Sequence, residues 1–355
     1  MGLPKSNQTA DLNVGGVTRQ SIELMGFDPE RLTEIVSGAR FDHHILTQAP
    51  CEVRHRRWAL GSFSVDVGNY SFPTRVMGAF PRDRICIGFI RSMRVPVWLN
   101  GFQPSLSSIQ LYSAGCELHY RAGAETEWVA IEFEEEALQS VALKRLGHLL
   151  EIPSGGVSDY QVPREKRATF DSLVERSMIP GLDASAMVEA ILGMIVDLLN
   201  LPLGRTMAKV EKRWLRRNEM LKNADRYLKS KLADPFDGKL LAEAMGVTER
   251  SLQLHFLEAY GVTPGHWARC LALHRVRERL RNNEATLFSI EGIARDCGFR
   301  HMGRFSAYYQ ELFGEYPSET RGLGCKAGGV ISRRGDLQGS PCSGGKRGGR
   351  GYRLP

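Results

Sequence analysis

Between Leu240 and Arg321 the chain reads twice as a short apolar helix, a glycine turn and a second helix. The first pass runs Leu240-Leu241-Ala242-Glu243-Ala244-Met245-Gly246-Val247-Thr248 and continues from Glu249 through Phe256. The second runs Ile290-Glu291-Gly292-Ile293-Ala294-Arg295-Asp296-Cys297-Gly298-Phe299 and continues from about His301 to Leu312. Each sets an alanine at the helix contact and a glycine where the chain must bend into the next helix. Matching phrases close the units, Tyr260-Gly261-Val262-Thr263-Pro264 and Phe313-Gly314-Glu315-Tyr316-Pro317. Repetition of a whole supersecondary unit restricts the fold more than composition does. Its physical meaning is a pair of helix-turn-helix units, a design that offers a second helix to the major groove of duplex DNA.

The segment between the units has the signals of one long helix. Thr263 is a good N-cap and Pro264 suits the first helical position. Trp267, Leu271, Leu273, Val276 and Leu280 supply a buried face, Asn282-Asn283 ends the helix near Arg281, and Ser289 caps the next one. A continuous helix would fix the separation of the units, so that both recognition helices enter successive major grooves about one turn, ~34 Å, apart.

Charge supports the reading. Residues 1–203 carry 19 Lys+Arg and 24 Asp+Glu, a net of −5; residues 204–321 carry 21 and 15, +6; residues 322–355 carry 7 and 1, +6; together these give the chain's +7. Positive charge therefore travels with the repeated units, the pattern of a polyanion-binding module joined to an acidic partner domain.

The rest of the chain suggests a second domain. Residues 1–40 read as an arm, with a short helix at Pro29–Ser37. From about Phe41 to Phe133, short β-rich runs alternate with turn residues: Trp58–Val67, Thr74–Phe80, Arg84–Phe89, Val95–Leu99, Ser108–Tyr112, Cys116–Tyr120 and Trp128–Phe133. This predicts a β-sandwich or small barrel. Helices follow at Glu134–Leu150, Arg164–Met178 and Ala184–Leu199, with a loop at 151–163. The apolar face of the last helix needs a cover, either the β-domain or a second copy of the chain. Leu201-Pro202-Leu203-Gly204 marks a boundary, and the basic stretch ending at Arg217 is either a linker or the start of the helix at Asn218–Leu232. After Arg321 the Gly/Ser/Arg-rich sequence lacks the means to bury a core and is expected to be disordered.

Other chemistry is poorly supported. His43, His44, His55, Cys116 and His119 invite a metal, but Cys116-x-x-His119 on a strand would face opposite sides, and no second half-site has zinc spacing. There is no phosphate-binding glycine loop and no Gly-x-Ser-x-Gly nucleophile elbow. Seven cysteines, odd in number and scattered, suit a reducing cytoplasm. No run of eighteen apolar residues suggests a membrane span, and no signal-peptide pattern is present. The expectation is no cofactor, no metal and no enzymatic activity. The aromatics Trp58, Phe63, Phe89, Trp98, Tyr112, Tyr120, Trp128 and Phe133 either line a pocket or fill a core.

Residues 221–321 resemble the DNA-binding domain of the AraC/XylS family of transcription regulators. The resemblance rests on Leu241-Ala242-x-x-x-Gly246, Leu252-x-x-x-Phe256, Gly261-Val262-Thr263-Pro264, Ile293-Ala294-x-x-x-Gly298-Phe299, Phe305-Ser306 and Phe313-Gly314-x-x-Pro317-Ser318-x-x-Arg321. It implies a seven-helix domain that binds promoter DNA. The β-rich region is similar in character to the cupin-like effector and dimerisation domains of many members. Glu249, Arg250 and Gln253 fall where the family reaches base edges. Arginine can bond guanine O6/N7 and glutamine adenine N6/N7. Leu254 and Ala272 stand where the family usually has basic residues, and Met302, Gly303 and Ala307 where the second helix is usually polar or basic. Arg300, His301 and Arg304 remain as second-unit candidates, better suited to phosphate than to bases. A solvated surface charge is the alternative reading of each.

The expected architecture is α+β in two domains. A cupin-like barrel or sandwich with following helices (41–203) succeeds an arm (1–40), and a basic linker (204–217) leads to an all-α double helix-turn-helix domain (218–321) with a disordered tail (322–355). The expected function is sequence-specific transcription regulation by an effector-responsive activator. The implied partners are double-stranded promoter DNA, RNA polymerase, a small-molecule effector and a second copy in a homodimer. The competing reading is an enzyme with a β-barrel active site fused to a DNA-binding domain.

Overall fold

A computed structural model describes residues 8–14, 16–25, 35–36, 38–45, 52–202, 205–207, 212–282 and 287–328. Its thirteen described strands are β1 (Gln8–Val14), β2 (Val17–Met25), β3 (Arg40–Ile45), β4 (Glu52–Leu60), β5 (Phe63–Tyr70), β6 (Thr74–Ala79), β7 (Ile85–Ser92), β8 (Trp98–Leu99), β9 (Ser108–Tyr112), β10 (Glu117–Ala122), β11 (Thr126–Phe133), β12 (Val157–Gln161) and β13 (Arg205–Met207). They form two sheets, β1-β2-β4-β5-β11-β7-β9-β12-β13 and β3-β6-β10-β8, and each pairing among the described strands is antiparallel.

The alternation of side chains divides the large sheet's faces. On one, Val65, Val67, Ile87, Phe89, Leu111, Val129 and Ile131 pack under helices α1 (Glu135–Leu146), α2 (Arg164–Ser177) and α3 (Ala184–Leu199). On the other, Val53, Tyr70, Cys86, Ile90, Tyr112, Trp128 and Ala130 meet Phe41, Val76, Leu118 and Tyr120 of the small sheet. The result is helices, large sheet, small sheet, in that order. The barrel among the expectations is corrected: among the described residues no ladder joins the two sheets, and the large one ends at β1 and β13. Helices cover its second face, so its apolar residues are buried without closure.

Several local expectations also change. Residues 1–40 are not simply an arm, because β1 and β2 continue the large sheet beyond β4. The helix expected at 29–37 lies almost wholly outside the described residues. Trp58–Val67 is two strands, with Gly61 at φ 58° turning between them. The loop at 151–163 contains β12, whose Asp159 accepts a hydrogen bond from Gln110 on β9 at 2.8 Å. Within 204–217, β13 pairs with β12 and a helix is already under way. The apolar side of α3 is covered within the chain: Ile191, Leu192, Ile195, Val196 and Leu198 are buried with α1, α2 and the large sheet.

The C-terminal helices are α4 (Lys212–Ser230), α5 (Gly238–Ala244), α6 (Glu249–Tyr260), α7 (Pro264–Arg281), α8 (Ile290–Asp296), α9 (Met302–Phe313) and α10 (Pro317–Gly328). The last runs seven residues beyond Arg321, into the segment expected to be disordered; residues 329–355 lie outside the described residues. Leu221, Leu241, Leu252, Phe256, Tyr260, Trp267 and Leu271 form the core of the first unit. Leu273, Val276, Leu280, Ile293, Phe305, Tyr309 and Phe313 form that of the second. Helix α7 gives side chains to both.

Candidate nucleic-acid interface

Each unit is built by local chemistry. Asp237 caps α5 by accepting from the Lys239 and Leu240 amides. Gly246, at φ 66°, makes the turn, and Thr248 caps α6 by accepting from the Ser251 amide at 3.1 Å. In the second unit Ser289 caps α8 through the Gly292 amide at 2.9 Å. Gly298, at φ 86°, makes the corresponding turn. A side chain there would start 2.6 Å from the Leu232 carbonyl oxygen, so the backbone of α4's end and the second unit touch only because this residue is glycine. Thr263 caps α7 by accepting from the His266 amide.

The buried residues of α6, Leu252, Phe256 and Tyr260, fix its outward direction. At ~100° per residue, Arg250, Gln253, Leu254 and Leu257 share one outward stripe, and all four are exposed. Glu249 is exposed in the first turn of α6, where its carboxylate complements the helix N-terminus. On α9, Phe305, Tyr309, Leu312 and Phe313 face inward, leaving Gly303, Arg304, Ala307, Gln310 and Glu311 outward. His301 occupies the N-cap position of α9, and Arg300 precedes it; both are exposed. The side chains of Arg250, Gln253, Arg300, His301 and Arg304 make no hydrogen bond or ion pair among the described residues, whereas Arg56, Arg91, Arg277 and Arg279 are ion-paired. Ala272 is buried in α7, beside a groove of about 280 Å³ between the units, and brings no charge there. The second unit is held to α7 by Arg277, which pairs with Glu315 at 3.0 Å and lies over the Phe313 ring, and by Arg279, which pairs with Asp296 at 3.0 Å.

The outer face of the small sheet packs on this domain. Its polar alternation sends His44, Arg75, His119 and Arg121 outward while Leu118 and Tyr120 point into the sandwich. Arg75 is buried against the Tyr260 ring, which stacks on Trp267 with centroids 4.6 Å apart and planes 3° from parallel. His44 packs on Trp267 and on His274, and His274 on Phe313. Arg121 donates to the Glu258 carbonyl at the end of α6, Arg217 pairs with the Glu258 carboxylate, and Lys222 pairs with Glu117. Asn218 Nδ2 lies 3.1 Å from His119 Nε2. Burial lowers the Arg75 pKa and pushes Tyr260 up to about 12. It also pushes His119 down to about 4 and His274 to about 3, so these imidazoles are neutral in the packed joint. Sequence reasoning missed this joint, because the signal was only a cation or histidine at alternate positions of β-rich runs.

The histidines considered for a metal are engaged otherwise. His43 lies 3.0 Å from the Tyr70 hydroxyl, and His55 pairs with Asp66 at 2.9 Å. Cys116 is in the core, its thiol pushed up to about 12 by burial. Among the described residues no three His, Cys, Asp or Glu side chains converge on a point that would hold a metal ion. Cys86, Cys116, Cys270 and Cys297 are free and buried. Of the aromatics, Phe63, Phe133 and Trp58 pack under the helical layer, and Trp98 is 40% exposed. Tyr70, Tyr112, Tyr120 and Trp128 line a cavity of about 60 Å³ between the sheets, room for about two waters. No described helix is long and apolar enough to cross a membrane.

Residues 241–322 match a family model described as a helix-turn-helix domain. The chain is 41% identical over 83 residues to the XylDLEGF operon transcriptional activator 2 of Pseudomonas putida, covering 23% of this chain and 53% of that protein. It is 35% identical over 103 residues to the HTH-type transcriptional activator RhaR of Pectobacterium carotovorum, covering 29% and 34%. The chain thus spans about half the length of the first curated relative and a third of the second. Among solved structures, a transcriptional regulator from Chromobacterium violaceum with an AraC-type DNA-binding domain is 27% identical, covering 31% of this chain and 95% of that one, with a TM-score of 0.29. The AraC-like transcriptional activator CuxR is 14% identical, covering 76% and 93%, with a TM-score of 0.37. Both curated relatives are named as transcriptional activators.

Proposed function

We propose that this chain, whose residues 241–322 are a helix-turn-helix domain of the AraC/XylS type, is a sequence-specific regulator that activates transcription from promoter DNA. The observation that carries the reading is the outward stripe of α6, where Arg250 and Gln253 stand exposed and unpaired on a capped, buried-core helix. Their functional groups match the bidentate edges of guanine and adenine. The second unit, with Gly303, Ala307 and Glu311 outward, is proposed to position the protein through Arg300, His301 and Arg304 on phosphates. A β-barrel enzyme fused to a DNA-binding domain has no support from the site chemistry above.

The chain is taken to divide between Met207 and Lys212 into a regulatory part and a DNA-binding part. Regulation would work by linkage: whatever binds one arrangement of the two parts better shifts the population towards it. A small-molecule effector is the proposed input, and the small cavity between the sheets would have to widen to admit one. RNA polymerase and a second copy of the chain complete the proposed partners, acting in the cytoplasm.

The test is selection of bound duplexes from a randomised 30-base-pair pool by the full chain at physiological salt. Enrichment of a defined motif is expected. Strongly salt-dependent binding without a motif would instead indicate an architectural DNA binder.

A further inference from the structure

The direction opposite the core of α6 is occupied by neither Arg250 nor Gln253. With Leu252 and Phe256 fully inward, the position ~180° away is Leu254, one turn after Arg250. It is 51% exposed, and Leu257, on the next turn of the same stripe, is 44% exposed. An isolated exposed leucine is ordinary on a protein surface. Here two sit on the stripe whose remaining members are an arginine and a glutamine. The sheet that packs on this domain approaches the other end, at Glu258 and Tyr260, and leaves Leu254 open.

We propose that Leu254 is a base-reading residue, selecting thymine through its C5-methyl group. The major groove presents one apolar feature, that methyl, and a leucine cannot satisfy the donors and acceptors of the other base edges. Arg250 and Gln253 bond the bases on either side, so the leucine is desolvated against the pair between or beside them. The same geometry explains an uncharged residue where attraction to phosphate alone would favour lysine. The inference rests on α6 being the reading helix and adds the base that its central position prefers.

The experiment uses the full chain and a duplex enriched from the randomised pool. Each thymine in that duplex is replaced singly by deoxyuridine, which removes the methyl and keeps the Watson–Crick pairing. The wild type is expected to bind about fourfold more weakly at one or two such positions, the worth of one buried methyl-sized group. In Leu254→Ala, which keeps a helix-favouring residue, thymine and uracil at those positions should bind alike while preferences at the Arg250 and Gln253 positions persist. Methyl-independent binding by the wild type overturns the proposal and leaves Leu254 for a protein partner. Retention of the thymine preference by Leu254→Ala overturns it as well. Failure to enrich any motif defeats the reading of α6 itself, and this proposal with it.

Discussion

The Arg75 guanidinium lies 3.5 Å from the centre of the Tyr260 ring. One residue belongs to the small sheet and the other to the end of the helix that presents Arg250, so this contact is one of those that join the two parts of the chain. A desolvated cation over an aromatic face contributes on the order of 2 kcal/mol. Arg75→Ala is therefore expected to lower the unfolding free energy by about that amount. An unchanged urea midpoint would show that the contact does not hold the parts together.

Two turn glycines should respond differently to alanine. Both have positive φ, 66° at Gly246 and 86° at Gly298. A Cβ at Gly246 meets nothing within 4 Å, whereas at Gly298 it would sit 2.6 Å from the Leu232 carbonyl oxygen. Gly246→Ala is expected to cost about 1 kcal/mol from the left-handed backbone alone. Gly298→Ala should cost at least about 2 kcal/mol, because backbone must also move. Equal midpoint shifts in urea would contradict this placement of the second unit.

Stability should fall on acidification in a defined window. His43 and His119 titrate near 4 and His274 near 3 in the folded chain, all lowered first by burial. In the unfolded chain they titrate near 6.5. Between about pH 6.5 and 4 the unfolded state binds more protons, so stability rises with pH and is lost as pH falls. Each histidine contributes a slope of up to about 1.4 kcal/mol per pH unit. Replacing His43 by glutamine should flatten the pH dependence measured by urea titrations from pH 7 to 4.5. An identical slope would mean that His43 binds its proton equally in the folded and the unfolded chain, so that burial does not lower its pKa.

The helical half of this fold was legible because its signals are local. Thr248, Thr263 and Ser289 are caps and Gly246 and Gly298 are turns whatever surrounds them. The β-rich half was legible only as strands in places. Trp58–Val67 hid a hairpin because Gly61-Ser62 is a short interruption in an otherwise β-favouring run. Strand β12 was read as loop because Ser158 and Asp159 are polar, although the sheet buries both. Which sheet each strand joins depends on pairing across long stretches of sequence, and no local pattern encodes it. The same limit hid the Arg75–Tyr260 contact. The reading stripe of α6 could be assembled from spacing alone, but the orientation that puts Leu254 outermost needed the buried partners of Leu252 and Phe256.

The division of labour between α6 and α9 is tested most directly by comparing Arg250→Ala with Arg304→Ala on one enriched duplex and its single-base variants, across a salt series. Arg250→Ala is expected to cost ~1–3 kcal/mol and to lose discrimination at one base pair. Arg304→Ala should weaken binding evenly across sequences and reduce the salt slope by about one. Retained base discrimination in Arg250→Ala, with discrimination lost in Arg304→Ala, would contradict the assignment of α6 as the principal reader.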